Sequence, residues 1–280
     1  MSESGKINKE ADIKKKGSGF LNFIQASGIA RLMKLFFSSQ EWLSRKFDRL
    51  FPGKFRVDGH QAYQNRVVPR YLKAGQVVYD IGGGKRPYLN HEAKKRLKAY
   101  VVGFDISEEE LSRAPGGIYD KIICADISCF TGNREADLVI CQSLLEHVKD
   151  VDAAISTMSG ILKTGGLALV FVPSRNALYA RLNRLLPQGL KNKMLSLVNP
   201  KMKDKLGFPA YYDRCTPKEL KALAKEHNFL VVEEYYYYNS LYFYFFFPFY
   251  LLWRLWILIF YLFSREQAAE TFTLVLKKNE

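Results

Sequence analysis

The sequence is short of acid and of paired cysteine. Its 280 residues carry 28 Asp and Glu against 42 Lys and Arg, a formal net charge of +14. An excess of that size needs a polyanion or an anionic surface to balance it, so nucleic acid and membrane are the two candidate partners. The four cysteines, Cys124, Cys129, Cys141 and Cys215, form no CxxC pair. Neither a zinc site nor a disulfide framework is therefore expected, and a reducing, cytoplasmic setting fits. Residues 1–18 hold no apolar core ahead of a cleavage site; they read as a disordered basic tail rather than a secretory signal.

What the chain does contain is organised around residues 77–88, VVYDIGGGKRPY. Val77, Val78 and Tyr79 read as a buried strand, with Asp80 at its carboxyl end. Three glycines, Gly82, Gly83 and Gly84, then let the backbone turn tightly and approach a ligand. In α/β sheets ligands sit at that end, in the crevice where the strand order reverses.

Three further strands end in the same way. Residues 99–104 lead to Asp105, about 25 residues after Asp80, the offset at which an acid accepts hydrogen bonds from both ribose hydroxyls. Asp105 is equally placed to cap the helix that Ser107 and Glu108 to Glu110 begin. Residues 121–125 lead to Asp126 and Ile127, and residues 136–140 to Cys141, Gln142 and Ser143. A fifth strand, 166–172, follows the turn Lys163-Thr164-Gly165-Gly166. Strand and helix alternating at these intervals predict a parallel sheet with right-handed crossovers.

The pieces VVYDIGGGK, VGFDIS, ICADIS, ADLVICQSLLEHV and ILKTGGLALVFVPS, in this order, resemble the class I S-adenosylmethionine-dependent methyltransferases, in the branch that includes ubiquinone and menaquinone methyltransferases. The resemblance covers residues 77–174 and extends weakly to the end. It implies an α/β, Rossmann-like seven-stranded sheet, mostly parallel with the last strand antiparallel, and S-adenosyl-L-methionine as cofactor. It implies that Asp80, Gly82, Gly83 and Gly84 hold the methionine part. Asp105 and Ile106 would hold the ribose, Asp126 and Ile127 the adenine, and Gln142 would border the sulfonium. Arg86 stands where the family's third loop glycine falls, so the loop after Gly84 is expected to differ.

The sulfonium is already a strong electrophile, so the protein supplies alignment and, for a hydroxyl acceptor, a base. His147 is the candidate catalytic base. The family's metal-binding E-x-x-E-H run maps onto Ser143, Glu146 and His147, with its first ligand missing, so no metal site is expected. His60 and His227 have no supporting constellation, and Tyr63 and Arg66 read as packing residues.

Residues 19–57 read as two amphipathic helices, for the membrane surface or as a cap on the core. Ser38 and Glu41 form a capping box for the second. Up to Arg56 the chain carries twelve Lys and Arg against five Asp and Glu. The methyltransferase domain spans 58–280. Within it, 174–214 is a basic insertion read as a lid, with Arg175, Arg181 and Arg184 joining Lys85 and Arg86 as candidate phosphate contacts.

A second insertion, 239–268, separates the last two strands (230–237 and 272–277) and contains LYFYFFFPFYLLWRLWILIFYLF at 241–263, whose one charge is Arg254. Hydropathy reads it as a span, but both flanking strands belong to one sheet, so the chain must return to the side it left. A shallow, monotopic contact with an anionic membrane fits better, and a homodimer interface competes with it.

The expected function is a methyltransferase peripheral to the cytoplasmic face of a membrane, acting on a lipid or lipid-linked acceptor: a polyprenyl-linked glycan or a prenylated quinone. The alternatives are an RNA or soluble small-molecule methyltransferase and a non-catalytic membrane scaffold. An RNA enzyme would interleave cations with exposed aromatics, and the aromatic block holds one arginine, so nucleic acid is disfavoured.

Overall fold

The computed structural model describes residues 28–185, 208–240 and 243–279. The tail at 1–18, the beginning of the first helical stretch and residues 186–207 of the basic insertion lie outside the described residues. In chain order the elements are α1 (Gly28–Asp48), α2 (residues 59–71), β1 (Val77–Ile81), α3 (His91–Leu97), β2 (Tyr100–Asp105), α4 (Glu108–Ser112) and β3 (Lys121–Cys124). There follow β4 (Ala136–Gln142), α5 (Val151–Ile161), β5 (Leu162–Pro173), α6 (Leu178–Leu185), α7 (Pro217–Glu226), β6 (Phe229–Tyr237), α8 (Phe247–Ser264) and β7 (Thr271–Lys278). The chain divides into a small unit, residues 1–51 with 241–254, and a large unit, residues 52–240 with 255–280.

The large unit holds a seven-stranded sheet in the order β3-β2-β1-β4-β5-β7-β6. All neighbours up to β5 are parallel, and β7 runs antiparallel to both β5 and β6. Side chains alternate across each strand. Tyr79, Ile81, Val102, Val139 and Val170 face α5 and α7 in one apolar layer. Val78, Val101, Leu138, Leu169 and Val275 pack with Ala62, Tyr63 and Val67 of α2 in the other. Burial on both faces explains why β1, β4 and β5 read as continuous apolar runs rather than alternating ones.

Local chemistry sets the helix ends. Asn90 caps α3 by accepting from the Ala93 amide at 2.8 Å, and Thr216 caps α7 through the Glu219 amide, with Pro217 at the first helical position. Helix α2 is α-helical at Gly59–Ala62, π-helical at Tyr63–Val67 and α-helical again at Val68–Tyr71. Pro69 is the reason for that wider turn: it has no N–H to donate, and its ring would meet the carbonyl four residues back in a regular helix.

One expectation about the helical segments is corrected. The predicted break at Ser38 does not occur; α1 runs through it as one helix, and Ser39 donates back to the Phe36 carbonyl at 2.7 Å. Serine is tolerated there because its hydroxyl bonds within the helix, and no glycine or proline falls between residues 31 and 48. In the aromatic run the helix begins only at Phe247, after a turn at residues 244–246, and Pro248 lies in its first turn, where its missing N–H costs nothing.

In the small unit the buried Asp48 carboxylate accepts from Arg254, from the Tyr250 hydroxyl and from the Tyr244 hydroxyl. The Arg254 guanidinium also lies 4.8 Å from the Phe51 ring centre and 4.9 Å from that of Trp253. The lone charge of the apolar run is thus wholly buried, and large apolar side chains of α8 are outside: Phe249, Leu252, Leu255, Trp256, Ile259 and Phe263 are exposed.

Candidate functional site

Strand order reverses between β1 and β4, so the crevice that α/β sheets use for ligands lies at the carboxyl ends of these two strands. Their register places Ile81 opposite Cys141, which brings Gly82 and Gln142 to the two lips of that crevice. Ile81 also pairs with Phe104, so Asp105 stands one residue further along the same rim.

The glycine loop is held from below. Asp80 is buried and accepts from the Tyr88 amide at 2.7 Å. Gly83 lies directly on that carboxylate: a Cβ there would come within 2.6 Å of it. Gly84 has a φ of +45°, and a Cβ on it would meet Asp105 Oδ2 at 3.0 Å. The turn closes with the Arg86 amide donating to the Gly83 carbonyl at 2.8 Å. An exposed arginine therefore suffices at the position of the family's third glycine, because the chain has already turned away from the crevice there.

Electrostatically the site is an acidic cradle. Burial pushes the Asp80 carboxyl up to about 7, with the nearby Asp105 charge adding to it and the Tyr88 amide opposing. Burial also raises Asp105, against hydrogen bonds from the Ser107 and Ile106 amides. Two carboxyls destabilised as anions favour a cation between or beside them. A ligand bearing an ammonium, a sulfonium and ribose hydroxyls fits this donor set: Asp80 beneath the loop for the positive end, Asp105 as the acceptor at the second strand.

The other expected contacts divide. Asp126 is exposed and accepts from the Ser128 amide at 2.8 Å, which turns the chain after β3. Ile127 is 5% exposed and sits in the core, whereas Ile106 is 57% exposed at the rim. The free apolar surface beside Asp105 therefore belongs to Ile106. Gln142 is half-buried and bonded to two residues of α2, His60 at 2.6 Å and Gln64 at 3.4 Å.

His147 lies apart from that network. Its Nδ1 meets the Pro209 carbonyl at 3.0 Å and its Nε2 is 3.8 Å from Glu146 Oε1. Glu146 is buried and its Oε2 has no hydrogen-bond partner; burial pushes its carboxyl up to about 8. Among the described residues no group of His, Cys, Asp and Glu could hold a metal ion. Of the cations proposed for a phosphate, Arg175 is paired with Glu219 and Lys85 with Glu110.

Sequence reading missed His60, Gln64 and Tyr119. Tyr119 donates to the Gly84 carbonyl at 3.0 Å and packs under Gly103, bracing the loop from the neighbouring strand. Nothing local signals any of them, since each meets its partner across at least 35 residues of chain.

A family model described as a methyltransferase domain matches residues 56–234. The chain belongs to the S-adenosylmethionine-dependent methyltransferases. Its cofactor is S-adenosyl-L-methionine, the ligand for which the acidic cradle is suited. Among curated proteins, this methyltransferase is 28% identical over 170 residues to a ubiquinone biosynthesis O-methyltransferase of Thiobacillus denitrificans, covering 57% of this chain and 67% of that one. It is 32% identical over 108 residues to the protein of the same name from a Bradyrhizobium strain, covering 37% and 42%. The match thus spans about two thirds of one relative and under half of the other. A crystal structure of an S-adenosylmethionine-dependent methyltransferase from Mesorhizobium loti aligns with a TM-score of 0.51 at 15% identity, over 80% of this chain and all of that one, and bears on the fold alone.

Proposed function

We propose that this methyltransferase works peripherally at the cytoplasmic face of a membrane, transferring a methyl group to a hydroxyl of a lipid or lipid-linked acceptor. The observation that carries the reading is the outward face of α8. Phe249, Leu252, Leu255, Trp256, Ile259 and Phe263 are all exposed along this one helix, a concentration of large apolar side chains that no other helix of the large unit shows among the described residues. Among the described residues, 247–268 is the one stretch long and apolar enough to cross a membrane by length and composition. As an 18-residue helix α8 rises about 27 Å, short of the roughly 30 Å hydrocarbon core, which favours a shallow seat over a span. The small unit has exposed apolar side chains of its own on α1, Leu32, Met33, Leu35, Phe36 and Phe37, with Arg31 and Lys34 among them, a composition that suits an anionic membrane.

The insertion is joined to the sheet at the reacting end. Tyr237, the last residue of β6, and Thr271, the first of β7, pair with each other, and Thr271 pairs with Pro173 at the carboxyl end of β5. The printed names of the curated relatives support oxygen as the methylated atom and a prenylated quinone precursor over a polyprenyl-linked glycan.

Flotation with vesicles containing anionic lipid tests the membrane half. The wild-type chain should float, while a variant with Leu252→Glu, Leu255→Glu and Phe263→Glu should stay at the bottom and still bind cofactor in calorimetry. A wild-type chain that stays down and elutes as a dimer would assign the apolar face to a second copy instead. Lipid extracts incubated with labelled methyl donor then identify the acceptor.

A further inference from the structure

His60 stands beside Gln142 on the rim of the crevice. It lies in the first turn of α2, which three independent contacts hold against the carboxyl rim. Asp58 caps the helix through the Gln61 amide at 2.8 Å and bridges to Asn239, next to the end of β6. Gly59 is pressed so closely on Thr271 and Tyr237 that a Cβ would come within 2.2 Å of the threonine hydroxyl. The imidazole itself packs edge-on against Phe171 of β5, ring centres 5.8 Å apart.

A polar chain leads from this ring into the crevice. Gln64 Nε2 donates to Gln142 Oε1 at 3.4 Å, which turns the Gln142 amide nitrogen toward His60 Nε2, 2.6 Å away. An amide nitrogen can only donate, so in this arrangement His60 Nε2 is the acceptor, its lone pair engaged by Gln142. That lone pair points at Gln142, on the lip of the switch-point crevice opposite the glycine loop. The ring nitrogens of His147 are directed elsewhere, Nδ1 to the Pro209 carbonyl at 3.0 Å and Nε2 to within 3.8 Å of the buried Glu146. The imidazole meets Gln142 and Phe171; Asp58 lies two residues before it in the chain, and the Tyr237 ring packs on the adjoining Gly59.

We infer that His60 is the catalytic base of methyl transfer. An acceptor hydroxyl takes the place of the Gln142 amide at Nε2. As its oxygen bonds to the methyl carbon, the carbon–sulfur bond breaks toward sulfur, and the hydroxyl proton passes to Nε2. S-adenosylhomocysteine leaves as a neutral thioether, and the positive charge of the sulfonium ends on the imidazolium. The inference rests on the reading that a hydroxyl is methylated.

Two measurements on the full-length chain test it. The first compares wild type and His60→Asn on two probe acceptors: a catechol with a short prenyl chain, protonated at assay pH, and a nitrocatechol, already ionised. The variant should lose about 100-fold on the catechol, the scale of a positioned base, and less than about fivefold on the nitrocatechol, which needs none. Equal losses on both probes would reduce His60 to a structural role and overturn the inference. The second measurement needs no acceptor: a nuclear Overhauser cross-peak between the S-methyl of 13C-labelled cofactor and the His60 ring protons. Its absence overturns the assignment whatever is methylated. A cross-peak with no transfer to either phenol by the wild type removes the hydroxyl reading, and the proton role with it.

Discussion

The two regions with most bearing on function dispose of charge in opposite ways. Around the glycine loop, buried Asp80 and half-buried Asp105 face a crevice, and their carboxyls are held above the usual range until a cationic ligand arrives. In the small unit the one cation of the apolar run, Arg254, is buried already and matched to Asp48, while Phe249 and Leu252 of the same helix are exposed. The first region keeps an electrostatic deficit for its cofactor to fill. The second has settled its charge internally and leaves its deficit in apolar surface, the kind that a lipid phase relieves. A binding site and a docking surface can thus be told apart by which kind of interaction each leaves unsatisfied.

The sharpest way to break that contrast is to unpair the buried ions. Asp48→Ala leaves the Arg254 guanidinium uncompensated and should lower stability by about 3–5 kcal/mol, measured by urea unfolding. Replacing both residues, Asp48→Leu with Arg254→Met, should recover most of that loss. If the double variant is as unstable as the single one, the pair is not the unit supposed here.

Next in size is a titration effect in the large unit. Glu146 is pushed up to about 8 in the fold from an ordinary value of 4.5. Its neutral form is the one the fold favours, so stability is full below about 4.5 and declines as pH rises through 8. Glu146→Gln should therefore match the wild type near the acid end and exceed it by a few kcal/mol above pH 8, read from thermal midpoints across pH. A variant less stable than wild type at high pH would mean that the carboxylate is used as an anion.

Smaller again is the glycine loop. Gly83→Ala should weaken cofactor binding by about 1–3 kcal/mol in calorimetry, because the new methyl must displace the Asp80 carboxylate and with it the loop. At the small end, Lys221→Ala should cost under about 1 kcal/mol of stability, although the lysine bridges Glu234 and Glu266, since all three are solvated.

Much of the large unit was legible in advance because its signals are local. VVYDIGGGK encodes a strand, its end and its turn within nine residues, and Asp105 and Asp126 each close a strand that hydropathy marks by itself. Thr216-Pro217 announced α7 in the same way. His60 was dismissed because its partner, Gln142, is 82 residues away and only the parallel sheet brings the two together. Arg254 stood out only as the one charge in an apolar run, because its partner, Asp48, is 206 residues distant; the structure buries it completely. Ser38 and Glu41 show the reverse error, since a local cap signal was outweighed by good helix formers on both sides.

The π-helical stretch at Tyr63–Val67 carries one residue more per turn than its surroundings. A single-codon deletion within it would restore an ordinary helix and swing the preceding turn by about 100°. Such a change would carry the imidazole at position 60 off the crevice lip while leaving the buried Val68 and the sheet beyond it in place. Homologous enzymes with a different acceptor could arise by that one event, with no substitution in the cofactor pocket.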